Sequence, residues 1–301
     1  MHLQQFGARV VVHAPAKLNL FFEVLGKRED GYHEVETLVV PIAWYDTLYF
    51  EGDAGAKLRF RCEQVSGPWG RDPTWLGDFP EGDQNLVVRA VELLRRRAGV
   101  RRGGRLRLVK RIPTAAGLGG GSSDAAAALA AANASWGLGW SWQELAQLGA
   151  ELGSDVPLFF ARGPAICRGR GERVIPVALG GPLHFVVVRP PAGLATADVY
   201  RACRPAESPA LVQPLLDALA GGRWDEVGRR LFNRLEPAAR MLSPWIRRLR
   251  DEFDRTDCVG SQMSGSGTCY FGVCRHARHA RRVARRLQAR GIGVALAVRG
   301  C

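Results

Sequence analysis

The stretch Pro113-Thr-Ala-Ala-Gly-Leu-Gly-Gly-Gly-Ser-Ser-Asp-Ala-Ala-Ala-Ala128 constrains this chain more than any other. Its glycines allow positive φ and close approach of a ligand to the main chain. The alanines that follow, as far as Ala134, favour a helix. The pattern predicts a flexible loop leading into a helix that Ser122, Ser123 or Asp124 caps. The first amides of such a helix form an anion site, usually for phosphate.

Familiar nucleotide loops do not fit this stretch. A Walker A loop needs Gly-Lys-Ser or Gly-Lys-Thr, which the sequence lacks. A dinucleotide fingerprint needs a glycine where Ser122 stands. A plain glycine linker before a core helix is the remaining alternative.

Length and composition indicate an ordinary globular protein. The 301 residues, 47% of them hydrophobic, suffice for one large or two average domains, and we expect two, over residues 1–180 and 181–301. No apolar run of membrane-spanning length and no signal peptide is evident, which predicts a cytoplasmic protein without a membrane partner. Seven scattered cysteines without a Cys-x-x-Cys pair favour buried thiols.

The formal charge of +13 raises the question of nucleic acid binding. The arginines are spaced among leucine, valine and alanine, as on the solvated faces of amphipathic helices. No nucleic-acid motif accompanies them, so we expect no nucleic-acid partner. Anionic small molecules would also be attracted to this charge.

Polar residues alternate with apolar ones near the amino terminus. Residues 10–24 indicate two short strands broken near Pro15, with Lys17 and Asn19 on one side by the period of two. A solvent-facing side of a strand is the ordinary interpretation. Asp30-Gly31 then signals a hairpin turn, with Tyr32 and His33 beginning the returning strand.

Other polar residues have two interpretations each. Asn85 is either the N-cap of a helix or a ligand residue, and Asp155 in Gly153-Ser-Asp-Val-Pro157 is either a cap or a functional carboxylate. Thr196 is a candidate N-cap with Tyr200 packing one turn later. Residues 66–83 indicate a loop to which we assign no role. A second glycine loop follows in residues 262–272.

The order of these motifs resembles the GHMP kinases, the family of galactokinase, homoserine kinase and mevalonate kinase. Its phosphate loop is similar to the stretch from Pro113, and its catalytic aspartate motif to the segment around Asp155. This resemblance implies an α+β fold of two domains, the first like domain 2 of ribosomal protein S5 and the second ferredoxin-like. It leaves monomer and homodimer open.

The resemblance also implies an activity. Pro15-Ala-Lys-Leu-Asn-Leu20 and the segment ending in Gly31-Tyr32-His33 are similar to one branch of the family, whose substrate carries a cytosine. The implied reaction is ATP-dependent phosphorylation, with Mg²⁺, of the 2-hydroxyl of cytidine-diphospho-methylerythritol in non-mevalonate isoprenoid precursor synthesis. Lys17 and Asp155 would be catalytic. A different GHMP kinase, acting on homoserine or mevalonate, is the alternative.

Binding roles follow from the same resemblance. The residues expected to contact ATP are Asn85, Pro113, Gly117, Leu118, Gly119, Gly120, Gly121, Ser122 and Ser123. Those expected to contact the second substrate are Asn19, Tyr32, His33, Thr196 and Tyr200, with the two tyrosines on opposite faces of the cytosine. Metal ligands stay unassigned.

Overall fold

The computed structural model describes residues 1–65, 73–80 and 82–301. The strands are β1 (His2–Phe6), β2 (Arg9–Lys27), β3 (His33–Asp53), β4 (Leu58–Gln64), β5 (Gly103–Lys110), β6 (Ala165–Gly169), β7 (Arg173–Pro176), β8 (His184–Arg189), β9 (Phe232–Asn233), β10 (Gly260–Met263), β11 (Tyr270–Cys274) and β12 (Val294–Arg299). The helices are α1 (Leu86–Arg97), α2 (Gly120–Trp136), α3 (Trp142–Ala150), α4 (Thr196–Ala202), α5 (Gln213–Ala220), α6 (Trp224–Arg230), α7 (Glu236–Leu242), α8 (Pro244–Asp254) and α9 (Ala277–Ala289).

These elements form two compact units that are interleaved along the chain. The first unit comprises residues 1–16, 44–114 and 119–162, and the second comprises residues 17–43, 115–118 and 163–301. Strands β2 and β3 and the glycine stretch therefore contribute residues to both units. The domain boundary expected near residue 180 stays a prediction. Among the described residues, no helix is long and apolar enough to cross a membrane.

The first unit combines antiparallel and parallel strand pairs with helices. Strand β1 pairs antiparallel with the start of β2, β5 pairs antiparallel with the end of β3, and β4 pairs parallel with β5. Helix α2 is buried along most of its length, and every residue from Ala125 to Ala132 is buried. Small side chains let neighbouring elements approach this helix closely, because alanine adds little bulk. Helix α3 begins with a capping box of Ser141 and Glu144.

The second unit contains an antiparallel sheet in the order β10-β11-β8-β12. Its two central strands, β8 and β11, are mostly apolar and buried, and helices α7, α8 and α9 supply core residues such as Ala239, Leu249 and Val283. Strands β6 and β7 pair antiparallel with each other, and β6 also pairs antiparallel with the start of β3. Strand β9 runs parallel to β2, which brings Asn233 beside Phe22 in the register.

The prediction of two strands broken at Pro15 is wrong. Strand β2 is continuous from Arg9 to Lys27. Proline removes one backbone donor but has a φ that a strand tolerates. The pairing with β1 ends at His13, so Pro15 lies beyond the part of β2 that β1 needs.

The sequence also predicted a hairpin turn at Gly31 and a loop over residues 66–83. The predicted hairpin turn is present between β2 and β3, with Gly31 at a φ of 84° and the amide of Arg28 bonded to the carbonyl of Tyr32. The loop predicted over residues 66–83 lies partly outside the described residues. Its described portion contains short 3₁₀ turns at Pro73–Leu76 and Gly82–Gln84.

Candidate active site

Lys17 and Asn19 are buried, although alternation alone made a solvent face the ordinary interpretation. Lys17 is only 5% exposed, and its Nζ donates to Asn19 Oδ1 at 2.6 Å. The period of two along β2 puts both side chains on one side of the strand, as predicted. A buried ammonium requires polar partners because desolvation penalises the charged form. This lysine is therefore held in a defined position.

The second unit supplies further partners to Asn19. Its Nδ2 donates to Thr37 Oγ1 at 2.9 Å, and Thr37 in turn donates to the carbonyl of Phe21 at 2.6 Å. The backbone of Asn19 donates to Ser264 Oγ at 3.3 Å and accepts from Gln262 Nε2 at 2.8 Å. These bonds fix the amide side chain that holds the Lys17 ammonium.

The two glycine loops touch at Gly117. Ser264 Oγ donates to the Gly117 carbonyl at 2.9 Å, and Cys269 donates its amide to the carbonyl of Ala116 at 3.1 Å. Gly117 has a φ of 72°, and a Cβ there would lie 2.0 Å from the Ser264 carbonyl oxygen. Gly265 has a φ of 55°, and a Cβ there would have a tight contact with Lys17 Nζ at 3.2 Å. Glycine is therefore required at position 117, and the positive φ favours it at position 265.

Asn233 holds the second glycine loop from the other side. Its Nδ2 donates to the carbonyls of Met263 and Gly265, both at 2.8 Å, while its Oδ1 accepts from the amide of Leu235. The side chain is buried. Two hydrogen bonds from this buried amide fix the loop backbone, and the third, from Leu235, fixes the orientation of the amide itself.

In the first unit, α2 begins earlier than predicted. The helix starts at Gly120 and its N-cap is Gly119, at a φ of 68° and without a side-chain capping bond. The expectation that Ser122, Ser123 or Asp124 caps the helix is therefore wrong. Glycine adopts the left-handed cap conformation at no steric cost. The first amides of α2 are consequently not engaged by a capping side chain, as an anion site requires.

The residues entering the glycine stretch are also anchored. Pro113 is buried, and Thr114 donates its amide to the Leu76 carbonyl at 2.8 Å and its hydroxyl to the same oxygen at 3.0 Å. Leu118 is buried in the second unit, where its carbonyl accepts from the amide of Lys17 at 2.9 Å. The predicted phosphate loop is thus fixed by hydrogen bonds at several points.

Serines and glycines after Gly119 have different surroundings. Gly121 is exposed and Ser122 is half-buried, whereas Ser123 is fully buried. Within the described part of the chain, Ser123 Oγ has no hydrogen-bond partner. A Cβ on Gly120 would lie 2.9 Å from Ile112 Cγ2, but one on Gly121 would meet only Leu86 Cδ1 at 3.7 Å.

Asn85 is the N-cap of α1. Its Oδ1 accepts from the amide of Val87 at 2.9 Å and its Nδ2 donates to the carbonyl of Pro80 at 2.8 Å. The capping interpretation of this residue is confirmed, and a contact with ATP stays a prediction.

Asp155 lies in a turn between α3 and a short 3₁₀ helix, Pro157–Phe160. It is half-buried, whereas Val156 and the four residues of the 3₁₀ helix are buried. Apolar residues on its carboxyl side anchor the turn, so the backbone of Asp155 has a fixed position. Leu158 in this 3₁₀ helix is only 1% exposed.

The second unit brings His33 and Tyr200 together. Their ring centroids are 5.0 Å apart with an interplanar angle of 33°, and Tyr200 also meets Phe22 edge-on at 6.5 Å. Burial lowers the pKa of His33 below its usual value, and nearby Lys27 acts in the same direction. The lowered pKa favours the neutral imidazole, which has one N–H donor and one acceptor for a heterocycle.

Tyr32 and Thr196 are more exposed. Tyr32 is 53% exposed, with the Arg170 guanidinium 4.8 Å from its ring centroid. Thr196 is the first residue of α4, and Ala195 occupies the N-cap position without a side-chain bond, so the capping alternative for Thr196 is wrong. Thr196 Oγ1 instead lies 2.9 Å from Ser266 Oγ in the second glycine loop.

Sequence reasoning recognised the second glycine loop but missed the side chains that hold it. Ser264 and Gln262 bond to Gly117 and Asn19 of the predicted site, and Asn233 bonds to Gly265 within the second glycine loop. Asn233 lies in a segment whose Asn-x-Leu-Glu pattern was visible in the sequence. No role was assigned to the segment that contains Trp75 and Leu76. The Leu76 carbonyl accepts a hydrogen bond from Thr114, and the Trp75 ring stacks on that of Trp44 with their centroids 6.4 Å apart.

Comparison with known families agrees with this architecture. The sequence model described as the GHMP kinases N terminal domain matches residues 85–163, and the model described as GHMP kinases C terminal matches residues 215–293. A crystal structure of homoserine kinase from Cytophaga hutchinsonii superposes with a TM-score of 0.76 at 18% identity, covering 100% of this chain and 97% of that one, which supports the fold alone. The fold and its glycine loops define a small-molecule kinase of the GHMP class.

Relatives of higher sequence identity show to which group of GHMP kinases the chain is most similar. A 4-diphosphocytidyl-2-C-methyl-D-erythritol kinase from Pelotomaculum thermopropionicum is 42% identical over 91% of this chain and 92% of its own length. A crystal structure of 4-(cytidine 5'-diphospho)-2C-methyl-D-erythritol kinase is 39% identical with a TM-score of 0.79, covering 97% of this chain and 99% of that one. The chain belongs to the GHMP kinase family, in the group of 4-diphosphocytidyl-2-C-methyl-D-erythritol kinases. The expected α+β GHMP kinase fold is confirmed.

Proposed function

We propose that this kinase transfers the γ-phosphoryl group of ATP to the 2-hydroxyl of 4-diphosphocytidyl-2-C-methyl-D-erythritol. The products are the 2-phosphate and ADP, in non-mevalonate isoprenoid precursor synthesis. The observation that carries the substrate assignment is the pairing of His33 with Tyr200, 5.0 Å apart. An aromatic ring beside a neutral imidazole suits a flat base with donor and acceptor edges. Tyr32 is proposed to cover the other face of the cytosine.

Asp155 is proposed to accept the proton of the hydroxyl that attacks the phosphorus. A carboxylate within hydrogen-bond reach of the hydroxyl could do this as general base, or could orient the hydroxyl with little proton transfer before the transition state. Lys17 is proposed to offset the negative charge that develops on the attacking oxygen and the moving phosphoryl group. Its fixed position on Asn19 supports this role, since a preorganised charge needs no rearrangement during the reaction.

The amides at the start of α2 are proposed to bind the phosphates of ATP. Glycine at positions 119 to 121 leaves the main chain accessible, and the helix dipole favours negative charge there. Mg²⁺ is proposed to accompany the nucleotide, and the hydroxyl oxygens of Ser122 and Ser123 are of the hard type that this cation prefers. When bound, the ion would neutralise charge on the phosphate oxygens.

Release of ADP with a panel of acceptors tests the assignment. The cytidine-diphospho substrate, mevalonate and homoserine would be compared at equal concentrations with ATP and Mg²⁺. We expect turnover with the cytidine compound alone. Comparable turnover with mevalonate or homoserine would reject the proposed substrate while leaving the kinase class intact.

A further inference from the structure

A fully buried ionic triad lies in the first unit, at residues that flank the loop of residues 113–123, the glycine-containing part of the stretch. Lys110 is the last residue of β5, Asp124 is the fifth residue of α2, and Asp46 lies in β3. Their exposed fractions are 2%, 3% and 0%. Lys110 Nζ donates to Asp124 Oδ2 at 2.6 Å and also to Asp46 Oδ2.

The two carboxylates have different surroundings. The second oxygen of Asp46 accepts the amides of Arg111 and Ile112, at 2.5 Å and 2.9 Å. The second oxygen of Asp124 has no hydrogen-bond partner among residues 1–65, 73–80 and 82–301. Burial raises the pKa of Asp124 well above its usual range, Lys110 partly opposes the shift, and Asp46 adds to it.

Stability alone does not explain such a group. Replacing buried ion pairs by well-packed apolar side chains is often neutral or stabilising, because charged groups lose their hydration when buried. What a buried ion pair fixes is geometry, since its partners must stay within hydrogen-bond distance. These three side chains therefore fix the position of the backbone segments that carry them and that they bind.

The triad joins both ends of the glycine stretch. Lys110 lies three residues before Pro113, and Asp124 directly follows Ser123 at the end of the loop. Asp46 binds the amides of Arg111 and Ile112, the two residues that lead into the loop. Gly120 packs against the same group, because a Cβ there would lie 2.9 Å from Ile112 Cγ2 and 3.4 Å from Lys110 Nζ. The entry of the stretch and the first turn of α2 are thus held at one point.

We propose that Asp46, Lys110 and Asp124 are positioning residues that clamp the two ends of the glycine stretch and so aim the first amides of α2 at the phosphates of ATP. This proposal rests on the proposed function insofar as ATP is the phosphate donor. The three side chains act through the backbone and not by touching the nucleotide, because all of them are buried.

The main test is a triple variant, Asp46→Asn, Lys110→Met and Asp124→Leu. It removes every charge of the triad while leaving an acceptor oxygen for the amides of Arg111 and Ile112. We expect a melting temperature close to that of the wild type, since no buried charge is left unpaired. We expect KM for ATP to rise about tenfold or more, because small displacements of binding groups have large effects on catalysis.

A second measurement does not depend on ATP. Hydrogen exchange of the nucleotide-free protein, followed by mass spectrometry, should be faster in peptides covering residues 111–124 of the variant and unchanged in peptides covering β8 and β11. This readout distinguishes failure of the clamp from failure of the proposed function. If the wild type did not turn over ATP, loop exchange would still report on the clamp.

Asp124→Asn is the matched control. Asparagine keeps an oxygen that can accept from Lys110, so we expect KM for ATP and loop exchange near wild-type values. The proposal would be overturned if the triple variant had the wild-type KM for ATP and the wild-type rate of hydrogen exchange in the loop. It would also be overturned if Asp124→Asn had a tenfold higher KM for ATP with unchanged hydrogen exchange. Should the triple variant not fold, Asp124→Ala, which retains the Lys110–Asp46 pair, is subject to the same criteria.

Discussion

Gly117 and Ser264 meet backbone to backbone, and this contact joins the two glycine loops within the second unit. The Ser264 hydroxyl donates to the Gly117 carbonyl, and the space for a Cβ on Gly117 is already filled by the Ser264 carbonyl oxygen at 2.0 Å. The pair is separated by 147 residues in sequence.

Gly117→Ala should therefore be strongly destabilising. A left-handed conformation costs an alanine about 1–2 kcal/mol, and the backbone clash adds to this. We expect a lower melting temperature and a higher KM for ATP. For stability, Gly121→Ala is the control, because its Cβ would have only an ordinary contact with Leu86 and alanine favours a helix by about 1 kcal/mol. Equal melting temperatures of the two variants would contradict the structural explanation.

Lys17→Ala should lower kcat strongly, and Lys17→Arg should not restore it. The ammonium is compact, bonds to Asn19 at 2.6 Å and lies where Gly265 has no side chain. A planar guanidinium is wider and places its donors differently. Steady-state kinetics with matched melting curves would check this. Wild-type kcat in the arginine variant would argue that any positive charge suffices.

Asp155→Asn should lower kcat by roughly 10²–10⁴-fold, the range that a general base contributes. KM for both substrates should change little, because asparagine has nearly the same size. Single-turnover measurements with folded protein separate the chemical step from product release. Unchanged kcat would exclude Asp155 as the base.

Removing either proposed base-stacking ring should weaken selection of the cytidine substrate. Tyr32→Ala or Tyr200→Ala should lose about 1–3 kcal/mol of stacking, a magnitude borrowed from base–aromatic contacts. That corresponds to roughly a 5- to 150-fold loss in kcat/KM. Tyr→Phe at each position serves as the control and should be nearly silent, since stacking needs the ring. His33→Ala should reduce discrimination between cytidine and uridine substrates. Unchanged kcat/KM in both alanine variants would place the base elsewhere.

Glu236 is expected to make the stability of the folded protein depend on pH. Burial raises its pKa, although hydrogen bonds from Met263 and Tyr270 oppose the shift. Between the ordinary value of 4.5 and the raised value, the folded state holds more protons than the unfolded state. The stabilisation from protonated Glu236 is therefore complete below the ordinary value and is lost as pH rises through the folded pKa.

Glu236→Gln removes this titration and keeps a side chain that can bond to Tyr270, whose hydroxyl can donate or accept. We expect the melting temperature of the variant relative to the wild type to increase as pH is raised from 4 to 8. A difference that does not change with pH, or that decreases, would show that Glu236 does not titrate as described.

Several local patterns predicted local structure correctly. The alternation around Lys17 and Asn19, the turn at Gly31 and the N-cap at Asn85 each depend on neighbours within a few residues, and each is present. The family and fold were also accessible from the sequence, because the motifs occur in the order that the GHMP kinases share.

Long-range contacts were not predictable in the same way. Nothing near Asp46 indicates that it will bind Lys110, and nothing near Ser264 indicates Gly117 as its partner. The start of α2 was misplaced because serine is usually the better cap, while here the left-handed conformation of Gly119 ends the loop first. Such features depend on backbone conformation and tertiary packing, which residue preferences do not encode.

The burial of Lys17 and Lys110 has a practical consequence for handling the protein. The chain has only four lysines, and the other two, Lys27 and Lys57, are exposed. Amine-reactive dyes and coupling resins should therefore modify Lys27 and Lys57 and spare the two buried amines. Peptide mapping after mild acylation would show this directly. The rate at which Lys17 or Lys110 is slowly acylated would measure how often the native structure opens around each lysine.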